Sequence, residues 1–598
     1  MIKLSDYIVS FLKEKEVSHI FMITGGGSMH LNDSIGQEKS IKFICNHHEQ
    51  ASAIAAESYA RMTNKIGVCQ VTTGPGSTNT LTGLIGGWLD SIPMFIISGQ
   101  VKTTTSLYKL PPTRQIGIQE INIIDMVKPV TKYAVPILDA NEIRYCLEKA
   151  WFLAKNGRPG PVWLDVPLDI QSTMINESEL RGFDPKEIVQ NQDLINIDKQ
   201  IGETIELIKS AKRPVIVAGF GIRLGSANDF FYKFIDKAKI PVVTSLSAHD
   251  LMWESHPLYA GRFGLYGNRG GNFAIQNSDL VIVLGCRMSL WEVGYDYEKF
   301  AREAKKVMID IDRQELEKPT FVPDIMIQCD VKLFLSRIVQ KLELDKTPSF
   351  SLWLDKCKYW QKKYPVILPE YSKEKKYVNY YYFMGELSKA LTKDNVIITG
   401  NGTSFTGTCQ AIKIKQGQRL GINIGCASMG YDLPAAIGAY FANQKKGIIL
   451  ITGDGSIQMN IQELQTIVHH KIPIKIFLIN NNGYLAIRIT QSNFFKKQYG
   501  IDSNSGISFP DMQKIAKAYG IPSIRINNQK NLKQKLKKVL DTKGPYLCEI
   551  MMPPNQELIP KLKTKADAKG RLSLSPLEDM YPFLPRKEFL KNLYIKPL

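Results

Sequence analysis

Residues 446–490 read KGIILITGDGSIQMNIQELQTIVHHKIPIKIFLINNNGYLAIRIT. The unbroken apolar run 447–452 has the length and composition of a strand buried on both faces. Gly453-Asp454-Gly455-Ser456 then turns the chain into a segment with apolar residues at Ile457, Ile461, Leu464, Ile467 and Val468, a helical spacing. A second buried strand, 474–479, follows Pro473 and stops at Asn480-Asn481-Asn482-Gly483. Strand, helix and strand form a βαβ unit, and both strand ends reach the sheet edge where ligands sit in open α/β folds.

That edge has a chemistry. Asp454 offers an anionic oxygen, while Asn481 and the Gly483 carbonyl offer neutral ones. Together with phosphate oxygens, such a set suits Mg²⁺. Gly453 and Gly455 let the backbone approach a diphosphate, and a helix starting at Ser456 favours negative charge. Gly-Asp-Gly alone reads equally well as a capped turn. Asn481, 27 residues after Asp454 on the next strand end, speaks against that plainer reading.

The rest of the chain sets the frame. At 598 residues it exceeds one core and divides into three or four domains. The net charge of +19 is spread along the sequence and no nucleic-acid motif accompanies it, so no nucleic-acid partner is expected. A basic surface would instead attract phosphorylated small molecules. The nine cysteines include no CxxC pair, which implies neither a zinc site nor a disulfide framework. Residues 1–17 read as an amphipathic helix without a signal core, and no apolar run reaches membrane-spanning length. A cytoplasmic protein with no membrane partner is expected.

Residues 1–172 alternate strand-like runs (21–24, 67–72, 94–98, 162–165) with helical segments, the pattern of a parallel α/β domain. Gly25-Gly26-Gly27 and Gly74-Pro75-Gly76-Ser77-Thr78-Asn79 are βα turns in it. Between them His48-Glu49 precedes an Ala-rich helix, 51–61, where a carboxylate is costly without a partner or a task. A polar linker spans 173–195. Residues 196–345 carry strands at 214–218, 241–244, 279–284 and 307–311, a second α/β domain. A second linker covers 346–375. The third α/β domain, 376–555, holds the opening stretch, and 556–598 form a tail expected to close over the site. The expected fold is therefore α/β, three doubly wound parallel-sheet domains, the outer two related by divergent duplication.

Glu49 before a small-residue helix, GPGSTNTLTGLIGGWLDSIPMFIISGQV (74–101), Gln119-Glu120, GRPGPVWLDVP (157–167), Gly425-Cys-Ala-Ser-Met-Gly430 and the Asp454–Asn481 pair together resemble the thiamine-diphosphate enzymes of the acetolactate synthase group. That resemblance covers nearly the whole chain. It implies thiamine diphosphate and Mg²⁺ as cofactors, with Asp454, Asn481 and Gly483 on the metal. It implies cofactor contacts from Gly74, Asn79, Gly402, Ala427, Met429, Gly453, Gly455 and Ser456. Glu49 would exchange a proton with the pyrimidine ring, and Gly26, His30 and Gln119 would stand nearest the reacting carbon. Glu49 and Asp454 would come from different chains of a homodimer or homotetramer.

In this group the central domain holds FAD. Gly219, Gly221, Gly264-Leu265-Tyr266-Gly267, Arg287, Asp312 and Asp330 resemble that site, whereas Ser289 and Trp291 depart from it. The implied reaction is decarboxylation of a 2-oxo acid, with pyruvate the expected donor, and transfer of the two-carbon unit to a carbonyl acceptor. Thr490 and Ala486 replace the Trp and Met of acetolactate synthases. NNNGYLAIRITQSNFF and TGGGSMHLND resemble carboligases of unusual sugar biosynthesis, which implies a nucleotide-linked keto-sugar acceptor. Acetolactate synthase proper and a non-oxidative decarboxylase are the alternatives.

Overall fold

The computed structural model describes residues 1–110, 113–188, 194–343, 348–443, 447–495, 497–566 and 572–598. The apolar runs become three six-stranded sheets, parallel throughout. The first contains β1 His19–Met22, β2 Lys42–Cys45, β3 Gly67–Val71, β4 Met94–Gln100, β5 Tyr133–Pro136 and β6 Val162–Pro167, in the order β2-β1-β3-β4-β6-β5. The central sheet contains β7 Pro214–Ala218, β8 Val242–Thr244, β9 Tyr259–Arg262, β10 Leu280–Leu284, β11 Lys305–Asp310 and β12 Ile325–Gln328, ordered β9-β8-β7-β10-β11-β12. The third contains β13 Val396–Thr399, β14 Arg419–Gly421, β15 Ile448–Gly453, β16 Lys475–Asn480, β17 Ser523–Ile526 and β18 Tyr546–Met551, ordered β14-β13-β15-β16-β18-β17.

The outer sheets therefore share one topology, as a duplication requires. The central sheet has the order of a dinucleotide fold. Each has a switch point where successive connections leave in opposite directions: between β1 and β3, β7 and β10, and β13 and β15. Every residue of β3, β4, β6 and β10 is buried, as continuous apolar runs demand. The strands that sequence reading passed over, such as β2, β5 and β12, lie at sheet edges, with half-exposed mixed sequences.

The opening stretch folds as read, with one correction. Its expected single helix is a 3₁₀ turn, Ile457–Asn460, followed by an α-helix, Glu463–His469. Asn460 explains the break: its side-chain amide donates to Gly430 O at 2.8 Å and to Gln50 Oε1 at 2.9 Å, pulling the first turn toward its neighbours. Both linkers also carry structure. Met174–Ile175 pairs with Ile2–Lys3, and the helix Ser351–Lys363 buries Trp353, Cys357 and Trp360 beside the central sheet. The tail is anchored in this chain on the central domain. Arg269 donates to Met580 O at 2.9 Å, Gln276 to Glu578 at 2.6 Å, and Trp360 to Asn592 at 2.8 Å.

The outer domains meet through α1 Glu49–Thr63 and α2 Asp432–Ala442. The alanines of α1 exist for this contact: a Cβ on Gly438 would lie 2.1 Å from Ala55 O, so the two backbones nearly touch. Ser58 Oγ donates across the joint to Ala435 O at 2.7 Å. Behind it Arg61, almost wholly buried, is shared between Glu57 (Nε to Oε1, 3.0 Å) and Asp90 (2.7 Å), and Tyr431 donates to Glu57 at 2.9 Å.

Candidate active site

At the edge of the third sheet β15 ends at Gly453 and β16 at Asn480, so Asp454 and Asn481 emerge side by side. Asp454 is buried. Its carboxylate accepts from Gly455 N at 3.0 Å and from Gly483 N at 3.1 Å. Burial pushes the carboxyl up to about 7, even though the backbone amides of Gly483, Gly455, Asn481 and Asn482 favour the anion. Asn481 is buried too. Its Nδ2 donates to Thr403 Oγ1 at 3.3 Å while its Oδ1 has no partner. A carboxylate this reluctant to ionise and a buried unpaired amide oxygen are two costs that a cation between them would remove. The donor set is a carboxylate and neutral oxygens, the kind Mg²⁺ takes. The residues fit the implied metal.

Around this pair the backbone is open. Gly453 and Gly402 face empty space, so a diphosphate could approach both. Gly402 lies between Asn401, whose amide bonds Ala427 O, and Thr403, which meets Asn481. Ser456 Oγ accepts from Gly430 N at 3.0 Å, which links the Asp454 turn to the loop carrying Ala427 and Met429. Ala427 adopts a left-handed conformation (φ 49°), held by Asn423 Oδ1, which accepts from Cys426 N at 3.1 Å and Ala427 N at 3.2 Å. Asp90 caps the same loop through Ile424 N (3.0 Å) and Gly425 N (2.8 Å).

The edge of the first sheet is built differently. Glu49 opens α1, half-buried, and its Oε2 accepts from Asn79 Nδ2 at 3.0 Å. Asn79 ends the Gly74 turn after β3. A Cβ on Gly74 (φ 59°) would come within 1.9 Å of Gln119 O, so this turn lies directly on the Gln119 loop. Gly26 faces open space, and its neighbours Gly25 and Gly27 lie against Thr72 and Thr73. Four expected residues, Glu49, Gly74, Asn79 and Gln119, thus converge, with Gly26 beside them. His30 sits in the first turn of the helix Met29–Gln37, and among the described residues its side chain makes no hydrogen bond to that group. Within one chain the described residues show no hydrogen bond between the Glu49 and Asp454 clusters.

At the central switch point a cleft is lined by Gly221, Gly285, Arg287, Asp310 and Asp330. Burial raises the Asp310 carboxyl to about 6. Of the residues expected around FAD, Gly221, Arg287 and Asp330 line this cleft. Asp312 instead pairs with Arg158 at 2.8 Å, and Leu265 N donates to Trp291 O at 2.8 Å. Tyr266 packs against Trp291, ring centroids 5.4 Å apart.

Three matches to known proteins agree with this geometry. Residues 2–126 match the N-terminal TPP binding domain of thiamine pyrophosphate enzymes, residues 201–338 the central domain, and residues 400–550 the C-terminal TPP binding domain. The chain belongs to the thiamine pyrophosphate enzymes. Within them it falls in the acetolactate synthase group. It is 33% identical over 571 residues to an acetolactate synthase large subunit of Cyanidium caldarium, a match covering 93% of this chain and 94% of that protein. It is 31% identical over 574 residues to acetolactate synthase 2, chloroplastic, of Nicotiana tabacum, covering 93% of this chain and 83% of the relative. To the acetolactate synthase large subunit of Porphyra purpurea it is 30% identical, with 91% of each chain covered. Among the described residues no helix is long and apolar enough to cross a membrane.

Sequence reading missed the residues that hold the site from behind. Arg488, buried in α3 Leu485–Phe494, donates to Asn482 O at 2.8 Å and Pro554 O at 2.6 Å, steadying the 481–483 loop. Asn423 and Asp90 hold the Ala427 loop. Their one signal was a polar side chain in an apolar context, as in GGWLDSIP around Asp90.

Proposed function

We propose that this chain decarboxylates pyruvate and joins the two-carbon unit to a second 2-oxo acid, as acetolactate synthases do. The site is formed by the Glu49 edge of one chain and the Asp454 edge of another. One observation carries it most directly: the unpaired Asn481 Oδ1 beside the buried Asp454, in a chain that matches acetolactate synthases nearly end to end. Asp454, Asn481 and the Gly483 carbonyl would hold Mg²⁺. Gly402, Gly453, Gly455 and Ser456 would take the diphosphate, and Gly74 with Asn79 the pyrimidine side. The Ala427 carbonyl would accept from the pyrimidine amino group, and Met429 would supply an apolar contact to the cofactor. Bound there, thiamine diphosphate would supply a carbon nucleophile and an electron sink. Glu49, oriented by Asn79, holds and returns a proton at the pyrimidine nitrogen. Gly26, His30 and Gln119 border the space left for substrate.

Exposed apolar side chains flank both edges: Ile118 (86% exposed), Met29 and Phe43 on one, Met459, Ile487 and Phe494 (59%) on the other. A second copy covering them supports a dimer as the smallest working unit. At the central switch point Gly221, Arg287 and Asp330 suit a dinucleotide, and FAD there would be structural because the reaction moves no net electrons. A flavin absorbance band in the purified protein, lost in Arg287→Ala, is the expected result, and a colourless protein would contradict it.

A second reading keeps pyruvate as donor but takes a bulkier carbonyl acceptor, such as a nucleotide-linked keto-sugar. Ala486 and Thr490 favour it: both are small and lie exposed one turn apart on α3, with Thr490 Oγ1 bonded to Ala486 O at 3.0 Å. Excess pyruvate and a nucleotide-linked 4-keto-sugar in one tube decide between them. Acetolactate as the main product supports the first reading, and an acylated sugar overturns it.

A further inference from the structure

Gln100 ends β4 between the two loops that meet at the Glu49 edge, and it is fully buried. Its amide uses every hydrogen-bonding position it has. Oε1 accepts from Thr73 Oγ1 at 2.5 Å and from Val101 N at 3.0 Å. Nε2 donates to Ile121 O at 3.1 Å and to Asp165 Oδ2 at 3.0 Å. Thr73 immediately precedes Gly74, and Ile121 lies two residues beyond Gln119. One side chain thus grips both loops.

Asp165, on β6, is buried completely and also accepts from Ser98 Oγ at 2.5 Å and Tyr108 OH at 2.9 Å. A carboxylate only accepts, so Asp165 fixes which end of the Gln100 amide faces Thr73. Burial lifts the Asp165 carboxyl to about 6 despite these donors. β4 and β6 already pair through their backbones, and apolar residues would fill this place without that cost.

We propose that Gln100, oriented by Asp165, is a positioning residue that sets the spacing between the Gly74–Asn79 turn and the Gln119 loop, and thereby the placement of Glu49 and Gln119. This rests on the reading of the Glu49 edge as the reacting edge. The two loops are in contact at Gly74 and Gln119 O, leaving no slack for one to move without the other. Small misplacements at a reacting centre cost rate far more than they cost binding.

The test compares Gln100→Met, which keeps length but loses all four hydrogen bonds, with Thr73→Val, which loses one, and with the double variant. Gln100→Met is expected to lower kcat about tenfold or more, while KM for pyruvate and the affinity for Mg²⁺ with thiamine diphosphate, anchored on the Asp454 edge, stay within about twofold. Thr73→Val should show a smaller loss of kcat at unchanged Tm. The double variant should be no worse than Gln100→Met alone, because both cut one link. A kcat within twofold of the parent in Gln100→Met, or losses that multiply in the double variant, overturns the proposal. If Gln100→Met does not fold, Thr73→Val decides alone, an unchanged kcat overturning the idea. Amide exchange at residues 74–79 and 117–121 reads the positioning independently of turnover. It should quicken in both variants, and unchanged exchange counts against the proposal even if the parent chain proves inactive on pyruvate.

Discussion

The first and third sheets have the same strand order and place their loops at the same switch point, yet they present opposite surfaces. The third sheet ends its two central strands in Asp454 and Asn481 and leaves a carboxylate and an unpaired amide oxygen buried together. The first ends the corresponding β3 in a Gly74 turn where Asn79 donates to Glu49 and Thr73 to Gln100, and where, among the described residues, the unpaired buried group is only the neutral hydroxyl of Thr72. One edge carries two costs, a buried carboxyl and an unpaired amide oxygen, that a cation would remove. The other presents neutral polar groups and a single acid, Glu49. A shared topology thus fixes where a site lies, and the residues after each strand decide its chemistry.

The largest effect expected from breaking this contrast is at Glu49. Glu49→Gln should lower kcat by about 10²-fold or more, since a positioned acid contributes on that scale. Binding of Mg²⁺ with thiamine diphosphate should be nearly unchanged, as the residues proposed for the metal and the diphosphate lie on the other edge. Steady-state kinetics and calorimetry on the same preparation check both halves. A loss of affinity equal to the loss of rate would show that the two edges do not divide the work.

The Asp454 edge should respond in the opposite way. Asp454→Ala is expected to abolish metal-dependent cofactor binding in a calorimetric titration. The parent residue also makes a pH prediction. Its carboxyl titrates near 7 in the folded chain, against an ordinary 3.8. Between those values the folded, metal-free chain holds the proton that the unfolded chain has lost. Stability of the metal-free chain should therefore fall as pH rises from 4 to 7 and level off above. Asp454→Asn should flatten that slope, and Mg²⁺ with thiamine diphosphate should offset it in the parent. Thermal melts from pH 4 to 8 provide the measurement.

The smallest effect concerns the acceptor. Ala486→Met with Thr490→Trp should shift the product ratio toward acetolactate by about tenfold or less, the scale on which apolar pocket volume discriminates. An unchanged ratio in product analysis would place the acceptor away from α3.

How much of this was legible in the sequence follows from the physics of each part. The strands buried on both faces were plain as apolar runs, and Gly453-Asp454-Gly455 with Asn481 marked one sheet edge because both fall at strand ends. The break after Ser456 was not legible, since it depends on Asn460 bonding to Gly430 and Gln50, residues distant in the chain. The edge strands β2, β5 and β12 were missed because half-exposed mixed sequences carry little periodic signal. The buried supports Asn423, Asp90, Gln100 and Arg488 stayed hidden for a related reason: a polar residue in an apolar run shows that it has a partner, not which one.

The central claim is that the Glu49 edge and the Asp454 edge complete each other across two chains. Glu49→Gln and Asp454→Ala chains, each inactive alone, should be co-expressed with separable tags and the mixed dimer assayed for acetolactate formation with Mg²⁺ and thiamine diphosphate. One of its two sites then pairs an intact Glu49 with an intact Asp454, and activity should return to about half that of the parent dimer. A mixed dimer as inactive as either variant alone would place both edges of each site in a single chain and contradict the account.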